Sequence, residues 1–169
     1  ETGSGSTIMS YAGVCAPNVQ FPSDDYYHSI SLQQIQSFTT VGLGSNCPDI
    51  EDLGNVAPDV NAGDDHFLPT NTYFELEGTA TNPDGDEQVY IWEQMDNEMT
   101  DAPPVANSDE GPAFRSIYPN DSKIRTFPNI DAIVAGTTPE WEVLPSVERE
   151  MNFRFNVRDR YDGVGCAHE

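Results

Sequence analysis

Two short acidic loops carry the side chains best suited to bind a cation. Asp84 and Asp86 stand in the turn Asn82–Glu87, and Asp159 and Asp162 follow a later strand-like run. Carboxylates on irregular loops suit calcium, which accepts about six to eight oxygen ligands in a flexible geometry. Asp and Asn also form turns by bonding their own backbones. The sequence therefore predicts either a calcium site or plain turn chemistry at these positions.

Cysteines and one sequon are the candidate modification sites. Cys15 and Cys47 flank a helix-like segment, so a disulfide between them is one interpretation and reduced, buried cysteines are the other. Cys166 is then the odd cysteine. Asn120 begins an Asn-Asp-Ser sequon, which matters if the chain passes through a eukaryotic secretory pathway.

Strands must position the acidic loops, because apolar residues alternate with polar ones from residue 58 onward. We predict strands at Tyr73–Ala80, Val89–Met95, Phe114–Tyr118, Ile124–Phe127, Glu140–Leu144 and Met151–Arg158. Pro, Gly and Asp separate them, and Trp92 stands on a central strand. The pattern predicts a mostly β fold, with an immunoglobulin/PKD-like β-sandwich over residues 58–169.

The sandwich topology predicts where the acidic loops meet. In an immunoglobulin-type sandwich the loop between strands B and C lies at the same end as the loop after strand F. Asp84 and Asp86 should therefore approach Asp159 and Asp162, with Asp59 or Asp64 nearby. Crowded carboxylates raise one another's pKa unless a cation neutralises them.

The last strand of such a sandwich is the weakest part of the prediction. A hairpin partner should follow Met151–Arg158, but only a turn-like run and a few residues remain before Glu169. We expect the partner strand to lie beyond this fragment or to come from another chain.

The N-terminal part is predicted to be helical rather than extended. Ser23-Asp24-Asp25 is a favourable helix start, with a capping hydroxyl and acids that the helix dipole favours. Gly42 and Gly44 should end the helix. Residues 4–47 thus form a first unit and residues 48–57 a linker, while residues 1–3 are interpreted as a vector remnant left after removal of a secretion signal.

The charge of the chain restricts its partners. Twenty-nine acidic residues against seven basic ones give a formal net charge of −22. Such a surface repels phosphate backbones and anionic lipids, which argues against nucleic-acid and membrane-surface binding. No apolar run approaches the roughly 20 residues needed to span a bilayer. The charge is either a solvating acidic coat or the raw material of calcium sites.

A family resemblance begins near the N-terminus. Gly5–Gly13, with the sequence Gly-Ser-Thr-Ile-Met-Ser-Tyr-Ala-Gly, resembles the Met-turn of metzincin zinc metallopeptidases. Cys15–Gln20 and Ser23–Leu32 resemble the last helix of secreted reprolysin-like members of that clan. Pieces that resemble the sandwich following the catalytic domain of such proteins are Gly78–Trp92, Gly111–Arg115, Trp141–Ser146 and Asn152–Asp159. The turn Asn82–Glu87 resembles the acidic turn of PKD-like and cadherin-like modules.

The resemblance implies roles for two residues. It also implies that this chain has no zinc site of its own. Met9 would be the apolar floor beneath the zinc histidines, and Tyr11 occupies the position of a tyrosine that reaches the zinc or the oxyanion in some branches. The clan's H-E-x-x-H-x-x-G-x-x-H helix is missing, and the histidines are His28, His66 and His168. We expect His28 to be a packed or capping residue.

These observations imply a non-catalytic C-terminal fragment of a secreted zinc metallopeptidase. Zinc would belong to the intact parent only, and the partner would be the remainder of the metallopeptidase domain. Two alternatives treat the Met-turn-like string as ordinary core. One is an extracellular, calcium-stabilised module that binds a protein or glycan, and the other is a calcium-stiffened spacer.

Overall fold

The computed structural model describes residues 1–46, 49 and 54–160, together with the backbone of residues 166–168. In chain order the elements are α1 (Ser29–Thr40), a 3-10 helix (Leu43–Asn46), β1 (Asp59–Asn61), β2 (Phe74–Glu77), β3 (Thr79–Thr81), β4 (Gln88–Gln94), β5 (Ile124–Phe127), α2 (Ile130–Ala135), β6 (Phe153–Asp159) and β7 (Cys166–His168). The fold is mostly β, as predicted. Among the described residues, no helix combines the length and apolarity needed to cross a membrane.

Small antiparallel sheets make up the β part. β1 pairs with β3, β2 pairs with β5, and β4, β6 and β7 form a three-stranded sheet with β6 in the middle. In the longest ladder Gln88 is opposite Asp159 and Trp92 is opposite Phe155. The strands predicted at Ile124–Phe127, Val89–Met95 and Met151–Arg158 are confirmed, the last two with shifted ends.

An aromatic core covers one face of the β4–β6 ladder. Tyr90 and Trp92 point to the same side as Phe155 and Val157, and all four side chains are buried. The Trp92 and Phe155 rings stack with their centroids 4.9 Å apart. Phe114 and Phe127 extend the cluster, at 5.1 Å between centroids. The alternation that predicted these strands therefore describes their inner face correctly.

Gly78 interrupts the strand predicted at Tyr73–Ala80. It lies between β2 and β3, and a Cβ placed on it would meet the Phe155 ring at 2.4 Å. The missing side chain lets the aromatic core approach this backbone closely. One predicted strand thus becomes two short ones that pair with different partners.

The predicted strands Phe114–Tyr118 and Glu140–Leu144 shrink to a single bridge between Phe114 and Glu142. One reason is that a side chain satisfies the backbone here, because Gln94 Oε1 accepts hydrogen bonds from the backbone nitrogens of Ala113 and Phe114. Helix α2 was not predicted at all. Asn129 caps its N-terminus, and Gly136, with φ of 64°, ends it in the left-handed conformation.

Helix α1 begins later than predicted. His28 is its N-cap and accepts a hydrogen bond from the backbone nitrogen of Ile30 at 3.2 Å. The Ser23–Asp25 start is wrong because this stretch pairs with the N-terminus instead, with the Asp24 nitrogen donating to Ser6 O at 2.7 Å. The expected capping role of His28 is confirmed.

The C-terminal end of the chain differs from expectation. β7 pairs antiparallel with β6 over Asn156–Arg158, so the hairpin partner strand is present in this chain and the expectation of a missing last strand is wrong. The three residues Cys166–His168 make these backbone pairs. Residues 1–3, interpreted as a vector remnant, pack with the rest: Thr2 is buried and Gly3 lies against the Trp141 ring. Half of the linker predicted at residues 48–57 lies outside the described residues.

Candidate functional site

Residues 4–11 form a tight turn, called here the N-terminal turn. The Tyr11 nitrogen donates to Ser4 O at 2.8 Å, and the Ser10 nitrogen donates to Thr7 O at 3.1 Å. Gly5 has a φ of 68°, which glycine adopts most readily. These local hydrogen bonds give the segment a fixed shape.

The side chains of the N-terminal turn are distributed against the usual hydrophobic pattern. Ser6 and Thr7 are buried, each with 1% of its surface exposed, whereas Met9 is 64% exposed and Tyr11 is 65% exposed. Ile8 is also exposed. Met9 and Tyr11 are therefore surface residues and not part of the core. The turn presents apolar side chains outward from a buried polar base.

The residues present do not fit a zinc site. His28 is buried and uses Nδ1 to cap α1, while His66 lies exposed in a loop. Within the described part of the chain, no group of three His, Cys, Asp or Glu side chains is placed to hold a metal ion. The side chain of His168 lies outside that part.

The acidic loops lie near each other at one end of the β4–β6 ladder. Asp84 Oδ2 accepts a hydrogen bond from the backbone nitrogen of Val56 at 2.6 Å. Asp159 Oδ2 accepts a hydrogen bond from Asn55 Nδ2 at 3.1 Å. The consecutive residues Asn55 and Val56 therefore contact one carboxylate each. The Asp84 nitrogen also bonds Asn82 Oδ1, which is turn chemistry.

The other predicted site residues are placed as follows. The backbone oxygen of Asp86 accepts a hydrogen bond from Asn82 Nδ2 at 3.4 Å. Asp162 lies outside the described residues. Cys15 is an exposed free thiol, but Cys47 is outside the described residues, so the proposed disulfide stays a prediction. Asn120 is exposed, and its Oδ1 accepts a hydrogen bond from the Ser122 nitrogen.

A buried polar cluster on the outer face of β4–β6 was not predicted. It comprises Tyr26, His28, Ser29, Glu93, Ser116 and Asn156, and we call it the Glu93 network. Glu93 is completely buried. The only sequence signal was its place in β4, where alternation puts Glu93 on the face opposite Trp92.

Four hydrogen bonds converge on the Glu93 carboxylate. Oε2 accepts from the Ser29 nitrogen at 2.9 Å, from Ser29 Oγ at 2.5 Å and from Asn156 Nδ2 at 2.8 Å. Oε1 accepts from Ser116 Oγ at 2.5 Å, and Ser116 Oγ in turn accepts from the Tyr26 hydroxyl at 2.8 Å. Asn156 Nδ2 also donates to Ser29 Oγ. A buried carboxylate is tolerated when its acceptors are satisfied in this way.

The helix dipole and burial determine the electrostatics of the network. Ser29 is the first residue of α1, so the carboxylate lies at the positive end of the helix dipole. Burial lowers the pKa of His28 below its ordinary 6.5, although the Glu93 charge opposes this shift. His28 Nε2 lies 3.8 Å from Glu93 Oε1, a contact longer than a hydrogen bond. Burial also raises the pKa of Tyr26, which keeps its phenol neutral.

The chemistry of the Glu93 network is structural. Ser29 and Ser116 are buried and donate to a carboxylate, so neither hydroxyl faces a substrate. Glu142 is a second buried carboxylate. Its Oε1 accepts a hydrogen bond from Arg125 Nη2 at 2.7 Å, and its Oε2 accepts one from Asn129 Nδ2 at 2.8 Å. The Glu142 pair joins parts of the β region only, whereas the Glu93 network joins residues 26–29 to that region.

No protein-family model, curated protein or solved structure matches the chain.

Proposed function

We propose that the chain is a non-catalytic C-terminal portion of a secreted, reprolysin-like zinc metallopeptidase. Residues 4–47 would supply the Met-turn and last helix of the catalytic domain, and residues 58–169 the accessory sandwich. One observation carries the proposal: the N-terminal turn buries Ser6 and Thr7 and exposes Met9 and Tyr11. This is the arrangement expected of a Met-turn whose exposed side chains would contact the remainder of the metallopeptidase domain.

The apolar surface around the turn supports a docking role. Val14 and Phe21 are also exposed, and the Phe21 ring lies against Gly13 close to the turn. Clustered exposed apolar side chains on a folded protein mark interaction sites. The proposed occupant is the remainder of the metallopeptidase domain, whose zinc-binding helix would rest above Met9. Tyr11 would then face the zinc site of the intact parent.

The strand pairing supports the immunoglobulin/PKD-like assignment. In an immunoglobulin-type sandwich the second strand pairs with the fifth, and the third, sixth and seventh form the opposite sheet. β2 with β5, and β4 with β6 and β7, match both pairings if β2 and β3 are taken as one strand broken at Gly78 and the fourth strand of that fold is skipped. That fourth strand has no counterpart among the described residues between β4 and β5. Trp92, buried on β4, would correspond to the buried tryptophan on the third strand of that fold.

A calcium ion bound between the acidic loops belongs to the same proposal. Asn55 and Val56 hold Asp84 and Asp159 at one end of the β4–β6 ladder. Calcium would neutralise carboxylates that otherwise repel each other on a chain of net charge −22. This acidic end also favours the second candidate function, an extracellular calcium-stabilised module that binds a protein or glycan.

Zinc stoichiometry tests the peptidase assignment. The coding sequence upstream of Ser4 should encode H-E-x-x-H-x-x-G-x-x-H within some tens of residues. A protein extended through that helix should hold one zinc per chain and cleave casein in a chelator-sensitive manner. The present chain should do neither. An extended protein without the motif, or without zinc, would leave the calcium-stabilised module as the better account.

A further inference from the structure

The N-terminal segment covers the outer face of β4–β6. Along β4, Tyr90 and Trp92 face the aromatic core, while Ile91 and Glu93 face the other way and are equally buried. Asn156 lies opposite Ile91 on β6 and is also buried. Strands buried on both faces need a cover on each side. Here that cover includes residues 26–29 at the start of α1.

The Glu93 carboxylate is the acceptor on which this cover depends. Ser29 donates to it twice from the N-terminal segment, and Ser116 and Asn156 donate from the β region. A buried donor that loses its acceptor costs about 1–3 kcal/mol. That cost arises only while the segment is docked, because water satisfies the same donors once the segment lifts away. Loss of the carboxylate should therefore weaken docking rather than the β core.

A continuous series of contacts leads from Glu93 to the N-terminal turn. Ser116 Oγ bonds both Glu93 and the Tyr26 hydroxyl. The backbone oxygen of Tyr26 accepts from the Ile8 nitrogen at 3.0 Å, beside Met9. The Arg158 guanidinium lies 5.1 Å from the centre of the Tyr26 ring and adds a cation–π contact.

We infer that Glu93 is a positioning residue that fixes the N-terminal turn on the β region by capping α1 and holding Tyr26 through Ser116. The β region is then required for the placement of Met9 and Tyr11 and is not a separable appendage. The docking itself concerns this chain alone. Its value for catalysis rests on the proposed function.

Hydrogen exchange of the full chain tests the inference without any activity assay. In Glu93→Gln one acceptor oxygen becomes an amide donor, which must face either the donors of Ser29 or the Ser116 hydroxyl. Peptides covering residues 6–29 should therefore exchange at least about tenfold faster. Peptides from β2 and β5 should keep the exchange rates of the parent. If Glu93→Gln does not fold, Ser29→Ala removes one donor only and should loosen the same peptides more mildly.

Two further variants separate positioning from general damage. Glu142→Gln alters another buried carboxylate, one that does not contact the N-terminal segment, and should not selectively loosen residues 6–29. Combining Glu93→Gln with Asn156→Asp returns a carboxylate to the network and should restore at least part of the protection. Unchanged exchange in Glu93→Gln, equal loosening in Glu142→Gln, or no recovery in the double variant would overturn the inference. Failure of the zinc experiment would leave it intact.

Discussion

The backbone nitrogen of Ser29 lies 2.9 Å from Glu93 Oε2, so the first residue of α1 is capped by a carboxylate 64 positions later in the chain. The same carboxylate is held on the other side by Ser116 and Asn156. One buried charge thus joins the segment that carries Met9 and Tyr11 to the sheet beneath it. His28 lies beside this carboxylate, and its titration makes the stability of the chain depend on pH.

Acid should destabilise the protein through His28. Burial lowers the pKa of His28 below 6.5, so the unfolded state binds a proton that the folded state refuses as the pH falls through this value. Stability is retained above about pH 6.5 and is lost below it, by at most about 1.4 kcal/mol per pH unit for one group. Glu93, Glu1, the N-terminal amine and Arg154 also act on this histidine.

The matched variant is His28→Asn, which keeps a capping acceptor for the Ile30 nitrogen but does not titrate. Urea unfolding of parent and variant between pH 7 and pH 5 should show the smaller loss in the variant. His66→Asn, at an exposed position, should lose stability as the parent does. Identical losses in parent and His28→Asn would show that His28 does not contribute.

Gly78→Ala should destabilise the β core. The new Cβ would meet the Phe155 ring at 2.4 Å, and overpacking of this kind costs about 1–3 kcal/mol. Denaturant unfolding followed by tryptophan fluorescence measures the change, with Thr79→Ala at the exposed neighbouring position as the control. Adding Phe155→Leu to Gly78→Ala should recover part of the loss. Parent-like stability in Gly78→Ala would disprove the close packing.

Calcium should stabilise the chain if the acidic loops share an ion. Binding to the folded state alone adds about 2.7 kcal/mol when calcium is present at a hundred times its dissociation constant. The rise in melting temperature should disappear in Asp84→Asn, which keeps an acceptor for the Val56 nitrogen, and should persist in Asp101→Asn. Sodium chloride at matched ionic strength controls for screening. If sodium chloride alone gives the full rise in melting temperature, or if Asp84→Asn shows the same rise with calcium as the parent, these carboxylates form turns and share no calcium ion.

The sequence predicts the strands well where alternation has a buried inner face. Ile124–Phe127 matches β5 at both ends, and the Trp92 and Phe155 strands are found with shifted ends. The start of α1 was mispredicted because a tertiary hydrogen bond from Asp24 to Ser6 competes with the local cap. Helix α2 had visible signals in Asn129 and Gly136, but it is too short for its apolar spacing to stand out.

The candidate-site residues also fall into those that local sequence patterns can suggest and those that they cannot. Local sequence proposed Met9 and Tyr11 through the family resemblance and the acidic loops through residue type and spacing, and these site assignments stay predictions. The Glu93 network could not be found, since alternation assigns Glu93 to an outer face that normally meets water. The docking of residues 26–29, together with Ser116, turns that face into an interior. Such docking joins segments far apart in sequence, which local patterns do not encode.

Oxidation of Met9 tests the central claim most directly. In the present chain Met9 is 64% exposed and Met99 is 98% exposed, so peroxide should oxidise both readily, as peptide mass spectrometry can follow. In a protein extended upstream through the zinc-binding helix, Met9 should be protected by at least about tenfold because the remainder of the peptidase domain covers the N-terminal turn. Met99 should react equally in both proteins. Equal oxidation of Met9 in the two proteins would contradict the assignment of this segment as a Met-turn.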